Sequence, residues 1–263
     1  MKKYLVIGNP VGHSLSPRLH NYWIKKQNIK AIYEKKQVKD TDIKNIIFEI
    51  RDGLVDGINV TVPFKKSVIP FLDQLTPLAN ETQSVNTIFK ENNKVIGHNT
   101  DVGGFELALK NISYDVKNKK VFIMGAGGVV SSIILALKKM GSYKIILSNR
   151  TKKKAEDLKK RYSDLEVIEW GEIPDFNMII NATSLGLKNN DEIKLNYTEI
   201  GQNKLFYDVI YNPTKTKFLL TAERLGHKIE NGKMMFIYQA HQAFTVWHKK
   251  MPVIDDETIR LLD

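Results

Sequence analysis

Four clusters of polar side chains in the first hundred residues have types and positions that folding alone does not require. They occupy residues 8–21, 59–65, 84–87 and 97–101. Each cluster follows a strand-like apolar run, and an open α/β sheet usually forms its binding site where neighbouring strands end. We therefore expect the four clusters to converge at one edge of a sheet.

The cluster at 8–21 contains two serines, Ser14 and Ser16, directly before a helix that Pro17 starts. Their hydroxyls can cap that helix. They can equally donate hydrogen bonds to a carboxylate that lies on the helix N-terminus, where the helix dipole attracts anions. The residues alone leave both interpretations open.

A glycine-rich turn follows the apolar run 121–124. Its residues, Gly125-Ala126-Gly127-Gly128, stand after a predicted strand and before a predicted helix. Glycines there let the chain turn tightly, and they let backbone amides approach a pyrophosphate on the helix N-terminus. Val130 fills the third small position of the dinucleotide fingerprint, so the match is not strict. The strand–turn–helix context nevertheless favours a nucleotide site.

The next predicted strand ends in Ser148-Asn149-Arg150-Thr151. An NAD enzyme usually has Asp or Glu at this position, where it binds the ribose 2′-hydroxyl. This chain has Arg150 instead, with three lysines at 152–154 close behind. A guanidinium fits a 2′-phosphate in a forked, charge-assisted contact. The alternative is an ordinary basic helix start, but beside a glycine turn the pattern favours NADP.

The elements that must position these residues follow an α/β pattern. In the second half, four short apolar runs alternate with two helical segments: 121–124, 129–140, 144–147, 151–161, 177–180 and 205–209. That alternation predicts βαβ units and a parallel sheet with helices on both faces. The first half alternates too but lacks a phosphate turn, and its runs 85–89 and 94–97 predict a hairpin. The fold class is therefore α/β, with two different units.

Composition and charge argue against several classes of protein. The net charge is +11, but it comes mostly from lysines scattered along the chain, without a dense arginine stripe or interleaved aromatics. We therefore expect no nucleic-acid partner and only a mild attraction for small anions. The apolar runs 4–7 and 121–137 are too short for a signal peptide and for a membrane span of about 20 residues. We expect no membrane partner.

The cysteine and histidine content limits the chemistry further. The chain has no cysteine, which excludes disulfides and thiol catalysis and suits a reducing compartment, so a cytoplasmic location is expected. The histidines lack the spacing of metal ligands, and no metal site is predicted. His13 and His20 are interpreted as positioning or core residues.

In chain order, these motifs resemble the shikimate dehydrogenase family. The matching segments span nearly the whole length: 8–21, 59–65, 85–87, 97–101, 125–128, 149–151, 181–186, 207–211 and 239–240. The departures are mild. Val129 and Val130 stand where small residues are usual, and Ser84 stands where the family often has Ala. The resemblance implies an NADP-dependent oxidoreductase that interconverts 3-dehydroshikimate and shikimate.

The resemblance also implies roles for single residues. Lys65 and Asp101 match the catalytic pair of the family, in which an ammonium supplies a proton to the emerging alkoxide. Six residues match its substrate-binding positions: Ser14, Ser16, Thr61, Asn86, Tyr211 and Gln239. Ten match its cofactor-binding positions: Ala126, Gly127, Gly128, Val129, Asn149, Arg150, Thr151, Lys154, Val209 and Gly232.

By the same resemblance, residues 1–101 and 238–263 would form a mixed α/β substrate domain. Residues 102–237 would form a Rossmann-like, doubly wound NADP-binding domain, with the site in the interdomain cleft. Two alternatives remain open at this level: a dual quinate/shikimate dehydrogenase, and a non-catalytic NADP-binding regulator on the same fold. The expected partner is a small-molecule substrate, and the chain is expected to be a monomer or a homodimer.

Overall fold

A computed structural model describes residues 1–188 and 191–262. The chain divides into two compact units. The first consists of Met1–Phe105 together with the chain from Ile237 onward, and the second of Glu106–Phe236.

The first unit contains a six-stranded mixed sheet. Up to residue 111 the elements are β1 (Lys2–Gly8), α1 (Ser16–Lys26), β2 (Ala31–Gln37), α2 (Ile43–Arg51), β3 (Gly57–Val60), β4 (Gln74–Leu75), α3 (Pro77–Thr82), β5 (Thr87–Glu91), β6 (Lys94–His98) and α4 (Asp101–Asn111). The strand order is β2-β1-β3-β5-β6-β4. Strand β5 runs antiparallel to both β3 and β6, and β1 runs parallel to β2 and β3. The predicted hairpin is thus β5–β6.

The second unit contains a six-stranded sheet whose strands are all parallel. Its elements are β7 (Lys120–Met124), α5 (Val130–Lys139), β8 (Lys144–Ser148), α6 (Lys152–Arg161), β9 (Glu166–Ile168), β10 (Met178–Asn181), β11 (Leu205–Asp208), α7 (Lys217–Arg224) and β12 (Lys228–Glu230). The order is β12-β11-β10-β7-β8-β9, which is the doubly wound order of dinucleotide-binding folds. Every residue of β10 and β11 is buried, as expected for central parallel strands. The predicted α/β class with a Rossmann-like second unit is confirmed.

Two helices complete the chain, α8 (Lys233–His248) and α9 (Asp256–Arg260). Both divisions between the units fall inside helices, α4 and α8, so no linker marks them in the sequence. Within the described ranges, no helix is both long and apolar enough to cross a membrane.

Helix α1 packs on the first sheet through an aromatic cluster centred on His20. Its apolar face follows helical spacing, with Leu19, His20 and Trp23 buried. The His20 ring stacks on Tyr33, with centroids 4.2 Å apart and planes 3° apart. Neither ring nitrogen of His20 has a hydrogen-bond partner among the described residues. His20 is therefore a neutral core residue. A core role was one of the two that the sequence left open for it, the other being a positioning role.

Burial, and to a smaller extent the neighbouring His248, lowers the pKa of His20 from 6.5 to about 3. The unfolded chain therefore takes up a proton between pH 6.5 and 3 that the folded chain does not, and stability falls as the pH falls through this window. From pH 7 to pH 5 we expect His20 alone to reduce the free energy of unfolding by about 2 kcal/mol. Urea unfolding followed by tryptophan fluorescence measures this loss.

His20→Phe keeps an aromatic ring in the cluster but cannot bind a proton. Between the same two pH values, the free energy of unfolding of the variant should therefore fall by about 2 kcal/mol less than that of the parent chain. Equal losses in both proteins would show that His20 does not set the acid sensitivity.

Candidate active site

The polar clusters of the first unit meet at one edge of its sheet. Thr61 follows the end of β3, and Asp101 follows β6 as the first residue of α4. Asn86 stands before β5 rather than after a strand. It reaches the same edge because β5 is antiparallel to its neighbours, and its carbonyl accepts a hydrogen bond from Val60 N at 2.9 Å. The combination of parallel and antiparallel strand pairing thus brings the polar clusters together, as the sequence predicts.

Lys65 and Asp101 form a buried ion pair. Lys65 Nζ lies 2.5 Å from Asp101 Oδ2, and the two residues are 9 % and 4 % exposed. Lys65 is held in the turn after β3 by its carbonyl, which accepts a hydrogen bond from Val85 N at 2.8 Å. Asp101 lies in the first turn of α4, where the helix dipole favours a carboxylate. An ammonium held in this way is a proton donor with a fixed direction.

Asn86 connects this pair to the rest of the site. Its Nδ2 donates to Asp101 Oδ1 at 3.0 Å and to Thr100 Oγ1 at 2.8 Å. It also lies 3.3 Å from Oε1 of Gln239 on α8. Four of the predicted residues, Lys65, Asp101, Asn86 and Gln239, therefore form one hydrogen-bonded group.

The two serines lie before and at the start of α1. Ser14 Oγ donates to Ser16 Oγ at 3.2 Å and accepts from Ser16 N at 3.3 Å. The N-cap residue, Leu15, makes no capping bond through its side chain. Ser14 therefore satisfies one backbone amide, and both hydroxyls stay near the positive end of the helix. Capping and carboxylate binding are compatible for this pair.

The remaining predicted substrate residues are less closely tied to the pair. Thr61 donates its backbone amide to Ile7 O at 2.9 Å. Tyr211 belongs to the second unit, after β11, and its ring lies 4.6 Å from that of Phe236. Its contact with the substrate therefore stays a prediction.

In the second unit, the glycine turn joins β7 to α5 as predicted. Gly125 has φ +113°, and a Cβ there would lie 2.7 Å from the carbonyl oxygen of Ala182. Gly127 is exposed, and a Cβ there would have its nearest neighbour at 3.9 Å. Gly125 is thus required by the backbone, whereas Gly127 leaves the N-terminus of α5 open to an anion. The turn fits a pyrophosphate.

These two glycines give a matched test of that distinction. We expect Gly125→Ala to lower the free energy of unfolding by about 1–3 kcal/mol, because strain and the Ala182 contact add. Gly127→Ala should change stability by less than about 0.5 kcal/mol. It should still raise the KM for NADP+, because the methyl group stands on the open side of the turn. Urea unfolding and steady-state kinetics measure the two effects, and equal destabilisation would contradict the distinction.

Arg150 and its neighbours lie together at the end of β8. Asn149 Nδ2 donates to Thr151 O at 2.8 Å, and Lys154 N donates to the same oxygen at 3.0 Å. Lys152 forms an ion pair with Glu169. Arg150 and Lys154 are exposed, and neither forms an ion pair with another described residue. Their positive charge is therefore available to a 2′-phosphate.

Val209 and Gly232 also come together. A Cβ at Gly232 would lie 2.1 Å from Val209 O, so only glycine permits this approach. Asp208 fixes the preceding strand end. It accepts from Asn181 Nδ2 and Ile210 N at 3.0 Å and from Thr216 Oγ1 at 2.6 Å. Burial raises the pKa of Asp208 to about 6. The motifs 181–186 and 207–211 thus serve first to hold this strand end in place.

Four polar residues of the site received no role from the sequence: Tyr33, Asn59, Thr87 and Thr100. Asn59, Thr87 and Thr100 belong to the polar clusters 59–65, 84–87 and 97–101, and this membership was the available signal. Tyr33 lies in a strand-like run and gave none. Among the described residues, no group of three or more His, Asp or Glu side chains is arranged to hold a metal ion.

Two family models match the chain. The shikimate dehydrogenase substrate-binding domain matches residues 6–88, and the shikimate/quinate 5-dehydrogenase model matches residues 106–185. A shikimate dehydrogenase (NADP(+)) of Pelagibacter ubique is 59% identical over 262 residues, covering 100% of this chain and 99% of that protein.

The chain belongs to the shikimate dehydrogenase family. Solved structures of the family share its fold. The crystal structure of shikimate dehydrogenase from Aquifex aeolicus is 37% identical, with a TM-score of 0.91 and coverage of 100% of this chain and 97% of that one. The Thermus thermophilus enzyme in complex with NADP(H) and shikimate is 28% identical, with a TM-score of 0.89 and coverage of 100% and 98%. The resemblance stated from the motifs is confirmed.

Proposed function

We propose that this chain is an NADP-dependent shikimate dehydrogenase of the shikimate pathway, which leads to chorismate and the aromatic amino acids. It reduces 3-dehydroshikimate reversibly to shikimate. The observation that carries the proposal is the buried ion pair of Lys65 and Asp101 in a chain of this family. A non-catalytic regulator would not need to keep this pair.

NADPH, when bound, supplies the hydride that adds to C3 of the substrate. The oxygen on C3 then needs one proton, and Lys65 Nζ donates it, which completes the change from C=O to CH–OH. In the reverse direction the neutral amine accepts that proton. Asp101 Oδ2 holds Nζ in place, and Asn86 occupies the other carboxylate oxygen. Asp101 therefore directs Lys65 and balances its charge where both side chains are buried.

The other predicted residues would bind the two ligands. Ser14 and Ser16 would donate to the substrate carboxylate, and Thr61, Asn86, Tyr211 and Gln239 would contact the ring or its hydroxyls. For the cofactor, residues 126–129 would hold the pyrophosphate and Asn149, Arg150, Thr151 and Lys154 the adenosine phosphate. Val209 and Gly232 would lie beside the nicotinamide. The glycine turn and the exposed charges at the end of β8 support this assignment.

The enzyme would act on a small molecule without nucleic acid or membrane, as a monomer or homodimer. A cytoplasmic location agrees with the absence of cysteine. Cell fractionation tests the location, and light scattering of the purified chain tests the state of assembly.

The absorbance at 340 nm tests the activity. Purified protein is mixed with shikimate or quinate, each combined with NADP+ or NAD+. We expect reduction largely confined to shikimate with NADP+. Strong turnover of quinate or with NAD+ would identify a dual-specificity enzyme. No reduction by folded protein that still binds NADP+ would favour the regulatory alternative.

A further inference from the structure

A buried row of side chains joins Tyr33 on β2 to the catalytic carboxylate. Tyr33 Oη lies 2.6 Å from Asn59 Oδ1, and Asn59 Nδ2 lies 3.1 Å from Thr87 Oγ1. Thr87 Oγ1 lies 3.1 Å from Asn86 Oδ1. The four residues are between 0 % and 7 % exposed, so water does not compete for these hydrogen bonds.

Backbone groups fix the direction of each hydrogen bond. The nitrogen of the Asn59 side chain lies 3.0 Å from Asn86 O, a carbonyl that can only accept, so this end of the amide must be the donor. The oxygen of the Asn86 side chain lies 2.8 Å from Thr100 N, which can only donate. Reversing the Asn59 amide would place two acceptors opposite each other, and reversing the Asn86 amide would place two donors opposite each other. Both orientations are therefore fixed.

These two constraints orient the hydroxyls between them. Tyr33 must donate to Asn59 Oδ1, and burial raises the pKa of Tyr33 well above its usual range, so its proton stays in place. Thr87 accepts from Asn59 and so has its own proton to give. Of the two acceptors within its reach, Asn86 Oδ1 at 3.1 Å is nearer than Thr100 Oγ1 at 3.4 Å.

The strands hold the row in register. Asn59 on β3 pairs directly with Thr87 on β5, and Tyr33 reaches Asn59 across β1, which lies between their strands. The backbone of Tyr33 is held on both sides by Asn21, whose Nδ2 donates to Tyr33 O at 2.7 Å and whose Oδ1 accepts from Tyr33 N at 2.9 Å. Stacking on His20 fixes the ring. Tyr33, the first residue of the row, is thus held rigidly in place.

We propose that Tyr33, Asn59 and Thr87 are positioning residues, which form a one-way hydrogen-bond relay that holds the Asn86 amide toward Asp101 and thereby aligns Lys65. This inference rests on the proposed function. The relay adds the hydrogen bond from Thr87 to Asn86 Oδ1, beside the one from Thr100 N, and so helps to hold the amide with Nδ2 toward Asp101 Oδ1 at 3.0 Å.

The test compares Thr87→Val, which removes the hydroxyl at nearly constant shape, with Thr87→Ser, which keeps it. We expect Thr87→Val to lower kcat about tenfold, because small displacements of a catalytic group cost rates of this order. Its KM for NADP+ should not change. Thr87→Ser should restore kcat to within about threefold.

A second pair of variants separates positioning from packing. Tyr33→Phe removes the first donor of the relay, three hydrogen bonds from Asn86, and should lower kcat about threefold to tenfold. Tyr4→Phe is the matched control, because Tyr4 pairs with Tyr33 in the sheet, is 1 % exposed and lies outside the relay. Its kcat should equal that of the parent chain. Melting temperatures establish that all four variants are folded.

If Thr87→Val keeps the full activity of the parent chain, the relay is overturned but the proposed function is not. A loss that Thr87→Ser does not restore, or an equal loss in Tyr4→Phe, would reduce Tyr33 and Thr87 to packing residues and overturn the relay too. Parent protein that does not reduce NADP+ with shikimate would instead overturn the proposed function, and the relay's role with it.

Discussion

Lys65→Ala is expected to lower kcat by roughly 10²–10⁴, the usual contribution of a general acid or base. The reason is that no other ammonium is bonded to Asp101 among the described residues, so the C3 oxygen would have to take its proton from water. NADP+ binding should change little, because the predicted cofactor residues all lie in the second unit. Steady-state kinetics at 340 nm and titration calorimetry with NADP+ measure the two quantities.

Lys66→Ala is the control for this variant. Lys66 is the next residue and is exposed, so its loss should leave kcat unchanged. Removing Lys65 also leaves the Asp101 carboxylate buried without its cation, which destabilises the fold. Asp101→Asn together with Lys65→Ala avoids that unpaired charge, and the double variant should be as inactive as the single one. A near-normal rate in either variant would overturn the assignment of Lys65.

Much of the second unit could be predicted from the sequence because its information is local. The predicted helix at 129–140 is α5 (Val130–Lys139), and the predicted run 144–147 is β8 (Lys144–Ser148). Central parallel strands are buried on both faces, so they appear as continuous apolar runs. The glycine turn between β7 and α5 is visible because its backbone has a positive φ at Gly125.

The first unit was harder to predict because its pairing is not local. Strand β4 has only two residues, Gln74 and Leu75, and pairs with β6, which lies well beyond it in the chain; no periodicity indicates it. The antiparallel course of β5 places Asn86 at the site from the start of a strand, which the rule for parallel sheets does not anticipate. Motif order indicates which residues share a site, but pairing decides how they reach it.

The contacts of Tyr33 could not be predicted at all. Its hydrogen bond to Asn59 depends on the order β2-β1-β3, in which one strand separates the two residues. A tyrosine in a strand-like run is equally consistent with simple packing, which its stack on His20 also shows. Only the register distinguishes a core residue from one that also orients the site.

Arg150→Ala is expected to raise the KM for NADP+ by roughly 10- to 100-fold, while the KM for NAD+ changes little. A charge-assisted hydrogen bond to a phosphate contributes about 1.5–3 kcal/mol, which corresponds to this range. Arg150 has no ion-pair partner among the described residues, so its charge is not already neutralised, unlike that of Lys152 beside Glu169. Kinetics with both cofactors at fixed ionic strength measure the change.

The control is Lys159→Ala. Lys159 is exposed near the C-terminal end of α6, the helix that begins two residues after Arg150, and lies far along that helix from the end of β8. The substitution removes the same net charge and should leave both KM values unchanged, which separates a direct contact from the general positive field. If Lys159→Ala raised the KM for NADP+ as much as Arg150→Ala did, the preference for NADP+ over NAD+ would come from that field. If Arg150→Ala raised the KM values for NADP+ and NAD+ equally, Arg150 would contact a part that both cofactors share. Another residue would then have to recognise the 2′-phosphate, and Lys154 would be the next to test.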